Sequence, residues 1–282
     1  MPSTAEKRAA YRLLHRSGCF VIPNPWDVGT ARYLQHLGFA ALATTSAGAA
    51  FSMGRPDTDR AVSCDMMLGH IREIAAASDL PVNADFGSGY AADPDAVGAN
   101  VRLCIETGVA GLSIEDSTGD DAEPLHPLDR AVARMRAARA AIDQSRADVL
   151  LTGRAECFVV GRPDLDDAIR RLRAYSEAGA DCLYAPGLRT GEQVAAVVRA
   201  VAPKPVNVLA GAALGLTRDD LAGLGVRRVS LGSALARSAW GAFAHAARAI
   251  AEAGRFDALS EAVPVAELNR FFRDDLARRS AS

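Results

Sequence analysis

The chain has 282 residues and a formal net charge of −2, with 49% hydrophobic and 23% charged residues. This length allows one large domain or two small ones, and the balanced charge provides no basic excess for nucleic acid. No apolar run is long enough to predict a membrane-spanning helix, and the polar start of the chain lacks the apolar centre of a secretory signal. The five cysteines include no CxxC pair, which favours free thiols in a reducing compartment. We therefore expect a cytoplasmic globular protein that binds neither nucleic acid nor membranes.

Short apolar runs alternate along the chain with longer stretches of helical spacing. The runs are apolar at consecutive positions, which is typical of strands that are buried on both faces. They cover residues 19–24, 40–45, 81–86, 111–116, 149–154, 181–186, 205–210 and 227–232. Helices are predicted between the runs, for example over 27–37, 96–107 and 164–178. Glycines follow such helices where a left-handed cap is expected, at Gly38, Gly108, Gly179 and Gly225.

Eight strand-and-helix units predict a (β/α)8 barrel. A doubly wound open sheet is the alternative, but no GxGxxG motif follows the first strand. An extra helix is predicted over 3–15, because Ser3 and Glu6 match a capping box. We expect one domain over 1–282, with a helical tail over about 255–282.

Two of the predicted loops between a strand and the next helix are long. They cover residues 46–58 after the second strand and 117–128 after the fourth. In a barrel such loops lie at the C-terminal face, where catalysis takes place. We interpret the second loop, which is acidic and contains Gly and Pro, as a mobile flap.

Acidic side chains follow several predicted strands. Asp85 ends the third strand, Glu115 the fourth, and Asp57 lies in the loop after the second. Carboxylates that converge on one barrel mouth repel each other, and Mg²⁺ removes this repulsion while using only one or two of them as ligands. Alternatively, Asp85 and Glu115 pair with Arg154, at the end of the fifth strand, as a structural salt-bridge layer without metal. The pattern alone leaves both interpretations open.

Other polar residues near the predicted strand ends are candidates for substrate binding or proton transfer. Arg154 suits a bidentate clamp on a carboxylate or phosphonate, and Asn207 lies on the seventh strand, where it is a candidate substrate-binding residue. His126, in the flap, is either a proton donor or a solvated loop histidine. Trp26, after the first strand, either shapes the pocket or only packs.

Six segments together resemble the isocitrate lyase/phosphoenolpyruvate mutase superfamily, and in particular its phosphonomutase-like group. They are VIPNPWDVGTARYLQHLGF, TTSAGAAFSMGRPD, PVNADFGSGYA, GVAGLSIED, LLTGRAE and LGVRRVSLGSALAR, which lie between about residues 19 and 240. The resemblance implies a (β/α)8 barrel that binds Mg²⁺, with Mn²⁺ as a substitute, at its mouth. It also implies that the substrate is a small 2-oxo or 2-hydroxy acid and that an enolate forms when a C–C or P–C bond is made or broken.

The resemblance also assigns roles to individual residues. Asp85, Glu115 and Asp57 match the family's metal-shell carboxylates, and Arg154 matches its substrate-binding arginine. The first aspartate of the family's DxDxGYG motif is Asn83 here, which removes one negative charge from the predicted metal shell. The segment in which the family's backbone amides hold the substrate carboxylate is Thr45, Ser46 and Ala47.

The flap departs from the family's motifs. Isocitrate and methylisocitrate lyases carry a KKCGH or KRCGH loop, whereas this chain has DSTGDDAEPLHP without cysteine. The lysine and asparagine of the P–C enzymes are also missing. We therefore expect a Mg²⁺-dependent lyase or decarboxylase that cleaves a C–C bond of a 2-oxo or 2-hydroxy (di)carboxylic acid.

Three other functions remain open. The first is a P–C bond mutase or hydrolase, or a condensing enzyme, of the same superfamily. The second is a catalytically silent carboxylate-binding relative. The third is a phosphate site at the Gly-containing turns 210–212 and 232–234.

The Ala-rich segment 233–254 contains Trp240 and Phe243 and predicts a helix that packs on a neighbour or on its own barrel. The resemblance implies exchange of the last barrel helix between subunits. We therefore expect a homodimer or homotetramer.

Overall fold

The computed structural model describes residues 2–211 and 214–280. The chain divides into two compact units, residues 2–233 and the segment from Ala234 onward, and each is described by itself. The prediction of a single domain over 1–282 stays a prediction.

The first unit contains eight parallel strands. They are β1 (Phe20–Ile22), β2 (Leu42–Ala43), β3 (Val82–Asp85), β4 (Gly111–Glu115), β5 (Leu150–Arg154), β6 (Cys182–Tyr184), β7 (Val206–Leu209) and β8 (Arg228–Ser230). Each strand from β2 to β8 pairs with the next, and β8 pairs with β1. The Ala43 amide also donates to the Pro23 carbonyl at 3.0 Å, which links β2 to the chain just after β1. The sheet is therefore a nearly closed barrel, and the predicted (β/α)8 fold is confirmed.

Nine α-helices accompany these strands in the described part of the unit. They are α1 (Thr4–Leu14), α2 (Val28–His36), α3 (Ser46–Ser52), α4 (Cys64–Ala77), α5 (Pro94–Ile105), α6 (Leu128–Ser145), α7 (Leu165–Glu177), α8 (Gly191–Val201) and α9 (Arg218–Gly223). The extra N-terminal helix is confirmed, and Ser3 and Glu6 form the predicted capping box. All four predicted cap glycines have positive φ, from 84° at Gly38 to 104° at Gly179.

The two long loops differ from each other in structure. The first, 46–58, was expected to be irregular but opens with α3, because the Thr45 hydroxyl caps the Gly48 amide. The second keeps an irregular path, with a single antiparallel bridge between Ser117 and Leu125. Its mobility stays a prediction.

The helix α1 covers the N-terminal end of the barrel. Its Tyr11 is fully buried and packs in an apolar cluster with Ile22, Ala43 and Leu150. Further inside, the barrel is unusually polar. Its buried interior includes Asn83, Ser113, Thr152, Asn207, Arg228 and Ser230. A polar interior that is open at the C-terminal side is suited to binding a polar ligand.

The second unit contains α10 (Ala234–Ala253), a short 3-10 helix (Asp257–Glu261) and α11 (Val265–Ser280). The two elements after Gly254 match the predicted helical tail. Trp240 and Phe243 pack edge to face, 5.4 Å apart, and are 46% and 62% exposed in the single chain. The homo-oligomer and the exchanged helix stay predictions. None of the helices in the described residues combines the length and the apolar character needed to cross a bilayer.

Candidate active site at the carboxyl ends of the strands

The Arg154 side chain, at the end of β5, lies among three carboxylates. Its Nη1 is 2.6 Å from Asp85 Oδ1, its Nη2 is 3.1 Å from Glu115 Oε2, and its Nε is 2.9 Å from Glu156 Oε1. The guanidinium carbon also lies 5.2 Å from the centre of the Tyr184 ring, within the range of a cation–π contact. The ion pairs of the salt-bridge interpretation are therefore present, and Arg154 is held in place by neighbours on several strands.

Negative charge exceeds positive charge at this point. Asp57, Asp85, Glu115 and Glu156 lie around one guanidinium, that of Arg154. Burial raises the pKa of Glu156 to about 8, although Arg154 opposes this, and burial together with Asp85 raises the pKa of Asp57 to about 6. Burial also raises the pKa of Glu115. These carboxyl groups therefore tend to take up protons or a cation near neutral pH.

A cavity of about 190 Å³ opens beside these groups. Its rim, at the C-terminal ends of the strands, is formed by the ends of β3, β5 and β6 and by the loop after β2. Its floor, nearer the N-terminal end of the barrel, is formed by residues one layer deeper in β3, β7 and β8. Among the lining residues are Asp57, Asp85, Arg154, Glu156, Tyr184, Asn83, Asn207 and Arg228. Charged and amide side chains thus converge on one concave site at the catalytic face of the barrel.

The start of α3 borders the cavity, as the prediction for Thr45, Ser46 and Ala47 requires. The Ser46 amide donates to Asp85 Oδ2 at 3.0 Å, and its hydroxyl lies 3.4 Å from Asp57 Oδ2. The turn therefore fixes the orientation of the Asp85 carboxylate. In this arrangement the Ser46 amide holds a protein carboxylate, where the sequence predicted a substrate carboxylate.

Asn83 and Asn207 line the cavity below the rim. The Asn83 carboxamide oxygen accepts from the Tyr11 hydroxyl at 3.2 Å. The Asn207 carboxamide oxygen accepts from Arg228 Nε at 2.9 Å. Asp85 and Asn83 share the inward face of β3. Asn83 lies one layer deeper, where it is hydrogen-bonded to Tyr11 of α1, the helix that covers the N-terminal end of the barrel. Both asparagines are accessible from the cavity, and both already have protein partners.

Asp116, the residue after Glu115, lies behind the site and is 2% exposed. Its carboxylate accepts from the Glu156 amide at 2.8 Å, from the Tyr175 hydroxyl at 2.5 Å and from Arg171 Nη1 at 3.1 Å. Arg171 also donates to the His126 carbonyl at 3.0 Å. Asp116 therefore anchors the start of the 117–128 loop and the backbone of Glu156, and it does not face the cavity.

Three predicted site residues do not line the cavity, namely Glu115, Trp26 and His126. Glu115 contacts the guanidinium of Arg154 instead. Trp26 lies at the start of the turn into α2, where its amide donates to the Thr30 hydroxyl. His126 is buried, and burial together with Arg134 lowers the pKa of its imidazole to about 4. The imidazole is therefore neutral near pH 7 and, lying outside the cavity, is not positioned to act as a general acid on a ligand there.

Some lining residues were not selected from the sequence. Glu156 was not assigned a role, and Tyr184 and Arg228 were not singled out. Arg228 and Ser230 are two positions apart on β8, so their side chains lie on the same face of the strand, and both line the cavity. Strand alternation could have identified Arg228 as an interior charge.

The predicted phosphate turns are only partly described, because Ala212 lies outside the described residues. In the turn after β8, the amides of Leu231 and Gly232 donate to Asn24 Oδ1 at 3.0 and 2.9 Å. These amides are therefore occupied by a protein acceptor.

The donor set fits a hard divalent cation that takes few ligands from the protein. No group of three or more His, Cys, Asp and Glu side chains in residues 2–211 and 214–280 is arranged to enclose a metal ion by itself. Mg²⁺, however, usually takes one or two carboxylates and completes its shell with water and substrate oxygens. The excess of carboxylates over guanidinium supplies the charge and the oxygen atoms for such binding, with Asp85 facing the cavity and Glu115 on the same guanidinium.

Comparison with known proteins places this geometry in a family. The family model described as phosphoenolpyruvate phosphomutase matches residues 11–251. A protein from Burkholderia cenocepacia J2315, provisionally named a lyase/mutase, is 49% identical, with a TM-score of 0.90 over 95% of this chain and 96% of that chain. An oxaloacetate decarboxylase from Paraburkholderia xenovorans is 30% identical over 82% of this chain and 76% of its own length.

A third similar protein has been crystallised with a metal ion and a small acid. The crystal structure of a phosphonopyruvate hydrolase in complex with oxalate and Mg²⁺ is 26% identical, with a TM-score of 0.83 over 97% of both chains. The matches cover nearly the whole barrel and agree with the motifs found in the sequence. The chain belongs to the phosphoenolpyruvate phosphomutase family and is an enzyme of the isocitrate lyase/phosphoenolpyruvate mutase superfamily.

Proposed function

We propose that the protein is a Mg²⁺-dependent carbon–carbon lyase or decarboxylase for a 2-oxo or 2-hydroxy (di)carboxylic acid. The observation that carries the proposal is the excess of carboxylates around the single guanidinium of Arg154 at a buried cavity. Similarity to an oxaloacetate decarboxylase and to a hydrolase that binds oxalate and Mg²⁺ supports the same class.

Asp85, with Glu115 beside it, would hold Mg²⁺, and the ion would supply positive charge that stabilises negative charge developing on the substrate. Arg154 binds the carboxylate of the substrate, because its side chain is buried, lines the cavity and carries a planar pair of N–H groups. Asp85 is held by the Ser46 amide and by Arg154, so its orientation is set before a ligand enters. The enzyme therefore provides a rigid, charged site, which lowers the cost of orienting the substrate.

For a 2-oxo dicarboxylate such as oxaloacetate, the bond to the departing carboxylate breaks and CO₂ leaves. The electron pair of that bond forms the enolate, and a proton added to carbon then gives the 2-oxo monocarboxylate. Glu156 and Asp57 are the candidate proton donors, because burial raises their pKa values to about 8 and about 6. A carboxyl group with such a pKa holds a proton for part of the time near pH 7 and can release it.

The test is turnover of a panel of 2-oxo and 2-hydroxy mono- and dicarboxylates with Mg²⁺ and after chelation. Oxaloacetate is followed by pyruvate formation against a protein-free blank that contains the same Mg²⁺. We expect turnover that requires Mg²⁺, is lost in Asp85→Asn and is strongly reduced in Glu156→Gln. The exposed Glu192→Gln on α8 serves as the matched control and should keep full activity.

No turnover of any member of the panel, in a protein that still binds oxalate, would overturn the proposal. Such a result would favour the carboxylate-binding alternative. Turnover that is unchanged by complete removal of divalent cations would also contradict the proposed role of Mg²⁺.

A further inference from the structure

The floor of the cavity contains a buried cation, Arg228. The residue is 3% exposed, and its guanidinium contacts four residues from three different parts of the chain. Nε donates to Asn207 Oδ1 at 2.9 Å, Nη1 to the Tyr11 hydroxyl at 2.8 Å, and Nη2 to the Thr152 hydroxyl at 3.1 Å. Nη1 also lies 3.4 Å from His15 Nε2.

All four of these partners are neutral. Burial, followed by the charge of Arg228, lowers the pKa of His15 to about 3, so this ring carries no charge at neutral pH. The His15 Nδ1 atom lies 2.8 Å from the Tyr11 carbonyl, which leaves Nε2 as the acceptor facing Arg228.

Two other arginines near the site have acidic partners, whereas the buried Arg134 donates to the backbone carbonyls of Ser88, Ala91 and Glu115. Arg154 is paired with three carboxylates, and Arg171 with Asp116 and Asp167. Among the ion pairs of the described residues none includes Arg228. The groups that raise its pKa include Cys182, Tyr11 and Tyr184, and burial raises the pKa of each of these, so they are neutral near pH 7. A buried charge without a counter-ion is costly, so its retention at a cavity wall requires an explanation.

Asn83 is the position where a counter-ion could have been placed. The Tyr11 hydroxyl accepts from Arg228 and donates to Asn83 Oδ1 at 3.2 Å, so one hydroxyl separates the amide from the guanidinium. A carboxylate of the same shape at position 83 would lie close to Arg228 and neutralise it. The neutral amide instead leaves the floor of the cavity with a net positive charge.

Arg228 can also reach a ligand. It lines the same cavity as Arg154, and its four contacts use four of the five N–H groups of a guanidinium. In a low-dielectric interior its charge also acts over several ångströms without direct contact. The cavity therefore has one cation at its rim and one at its floor.

We propose that Arg228 is a specificity-determining residue that selects a dianionic ligand, by balancing the second negative charge of a small dicarboxylate whose first carboxylate is held at the rim. This inference deepens the proposed function, on which it rests, by naming the substrate class and the residue that recognises it. A monocarboxylate fills the rim but leaves Arg228 without a counter-ion.

The test compares oxalate with oxamate, which match in size and differ by one charge. The dissociation constant of each is measured by calorimetry at saturating Mg²⁺ for the wild-type protein, Asn83→Asp, Arg228→Met, Arg228→Lys and the exposed Arg136→Met on α6. Chelation of the metal also favours oxalate, so the quantity of interest is the change in the oxamate-to-oxalate ratio between variants.

We expect the preference for oxalate to fall about tenfold in Asn83→Asp and in Arg228→Met, to be largely kept in Arg228→Lys, and to be unchanged in Arg136→Met. A tenfold change corresponds to about 1.4 kcal/mol. Asn83→Asp is nearly isosteric, so it carries the test if Arg228→Met does not fold. Retention of the wild-type ratio in Asn83→Asp, or failure of the wild-type protein to bind oxalate, would overturn the inference. Because only binding is measured, absence of turnover on the acid panel would overturn the proposed lyase without changing this result.

Discussion

Replacement of Arg154 by methionine tests the electrostatics of the site most directly. The side chain of Arg154 is 15% exposed and is the cationic partner of Asp85, Glu115 and Glu156. Removal of one partner from a buried ion pair costs about 3–5 kcal/mol, because the remaining charge stays desolvated. We expect Arg154→Met to lose about 3 kcal/mol of unfolding free energy at pH 6. At that pH Glu156 is already protonated, so the loss comes from Asp85 and Glu115.

The loss should increase with pH. The folded-state pKa of Glu156 is about 8 with Arg154 present, and removal of the guanidinium raises it further. Between the unfolded pKa, near 4.5, and the folded pKa, the folded protein binds the extra proton, so stability falls as pH rises. This fall ends near pH 8 in the wild-type protein but continues above pH 8 in the variant. The difference between the two should therefore grow above pH 8, by at most about 1.4 kcal/mol per pH unit.

The assay is urea unfolding followed by far-UV circular dichroism at pH 6 and pH 9. Arg154→Lys, which keeps the charge, and the exposed Arg136→Met are the controls. Mg²⁺ should stabilise Arg154→Met more than the wild-type protein, because the ion replaces the missing positive charge. This account of the site would be refuted if the unfolding free energy of Arg154→Met were within about 1 kcal/mol of the wild-type value at both pH values, since removing a buried ionic partner normally costs more.

Three further predictions concern the barrel interior and the metal. Gly111→Ala should destabilise the protein by about 1–3 kcal/mol in urea unfolding, because its Cβ would lie 2.7 Å from side-chain atoms of both Asn83 and Tyr11. The control is Gly69→Ala, whose Cβ would have no neighbouring atom within 4 Å. Equal losses of stability in the two variants would contradict the packing argument. The folded pKa of His15 is about 3, below its unfolded value of 6.5, so the unfolded chain takes up this proton first and stability should fall, relative to His15→Gln, as pH drops from about 6.5 towards 3. An NMR titration that finds the ring of His15 charged at pH 5 would exclude this. Finally, Mg²⁺ at about one hundred times its dissociation constant should add about 2.7 kcal/mol of stability, and thermal unfolding that is the same with Mg²⁺ and with chelator would argue against a metal site.

The barrel could be predicted because its signals are local. Each strand is a short apolar run, each helix has its own period, and each cap glycine follows its helix directly. The helix α3 was missed because its residues, SAGAAFS, are small and lack an apolar period. Its capping residue, Thr45, was noted only for its similarity to a substrate-binding segment.

The side-chain pairing at the site could not be predicted in the same way. The sequence indicated that Asp85, Glu115 and Arg154 share one end of the barrel, because each ends a strand. It could not decide whether the carboxylates face a metal or the guanidinium, since that depends on side-chain conformations. The contact between Arg228 and Tyr11 joins residues 217 positions apart, and no local pattern indicates such a pair.

The same contact has a consequence for synthesis of the protein on the ribosome. Tyr11 is translated near the start, whereas its partner Arg228 emerges only after seven of the eight strands. The cavity floor therefore cannot form during most of translation, because the hydroxyl of Tyr11 has no Arg228 guanidinium to bind until β8 has been synthesised. We expect nascent chains that stop short of β8 to expose this helix to proteases and chaperones, and the finished chain to shield it.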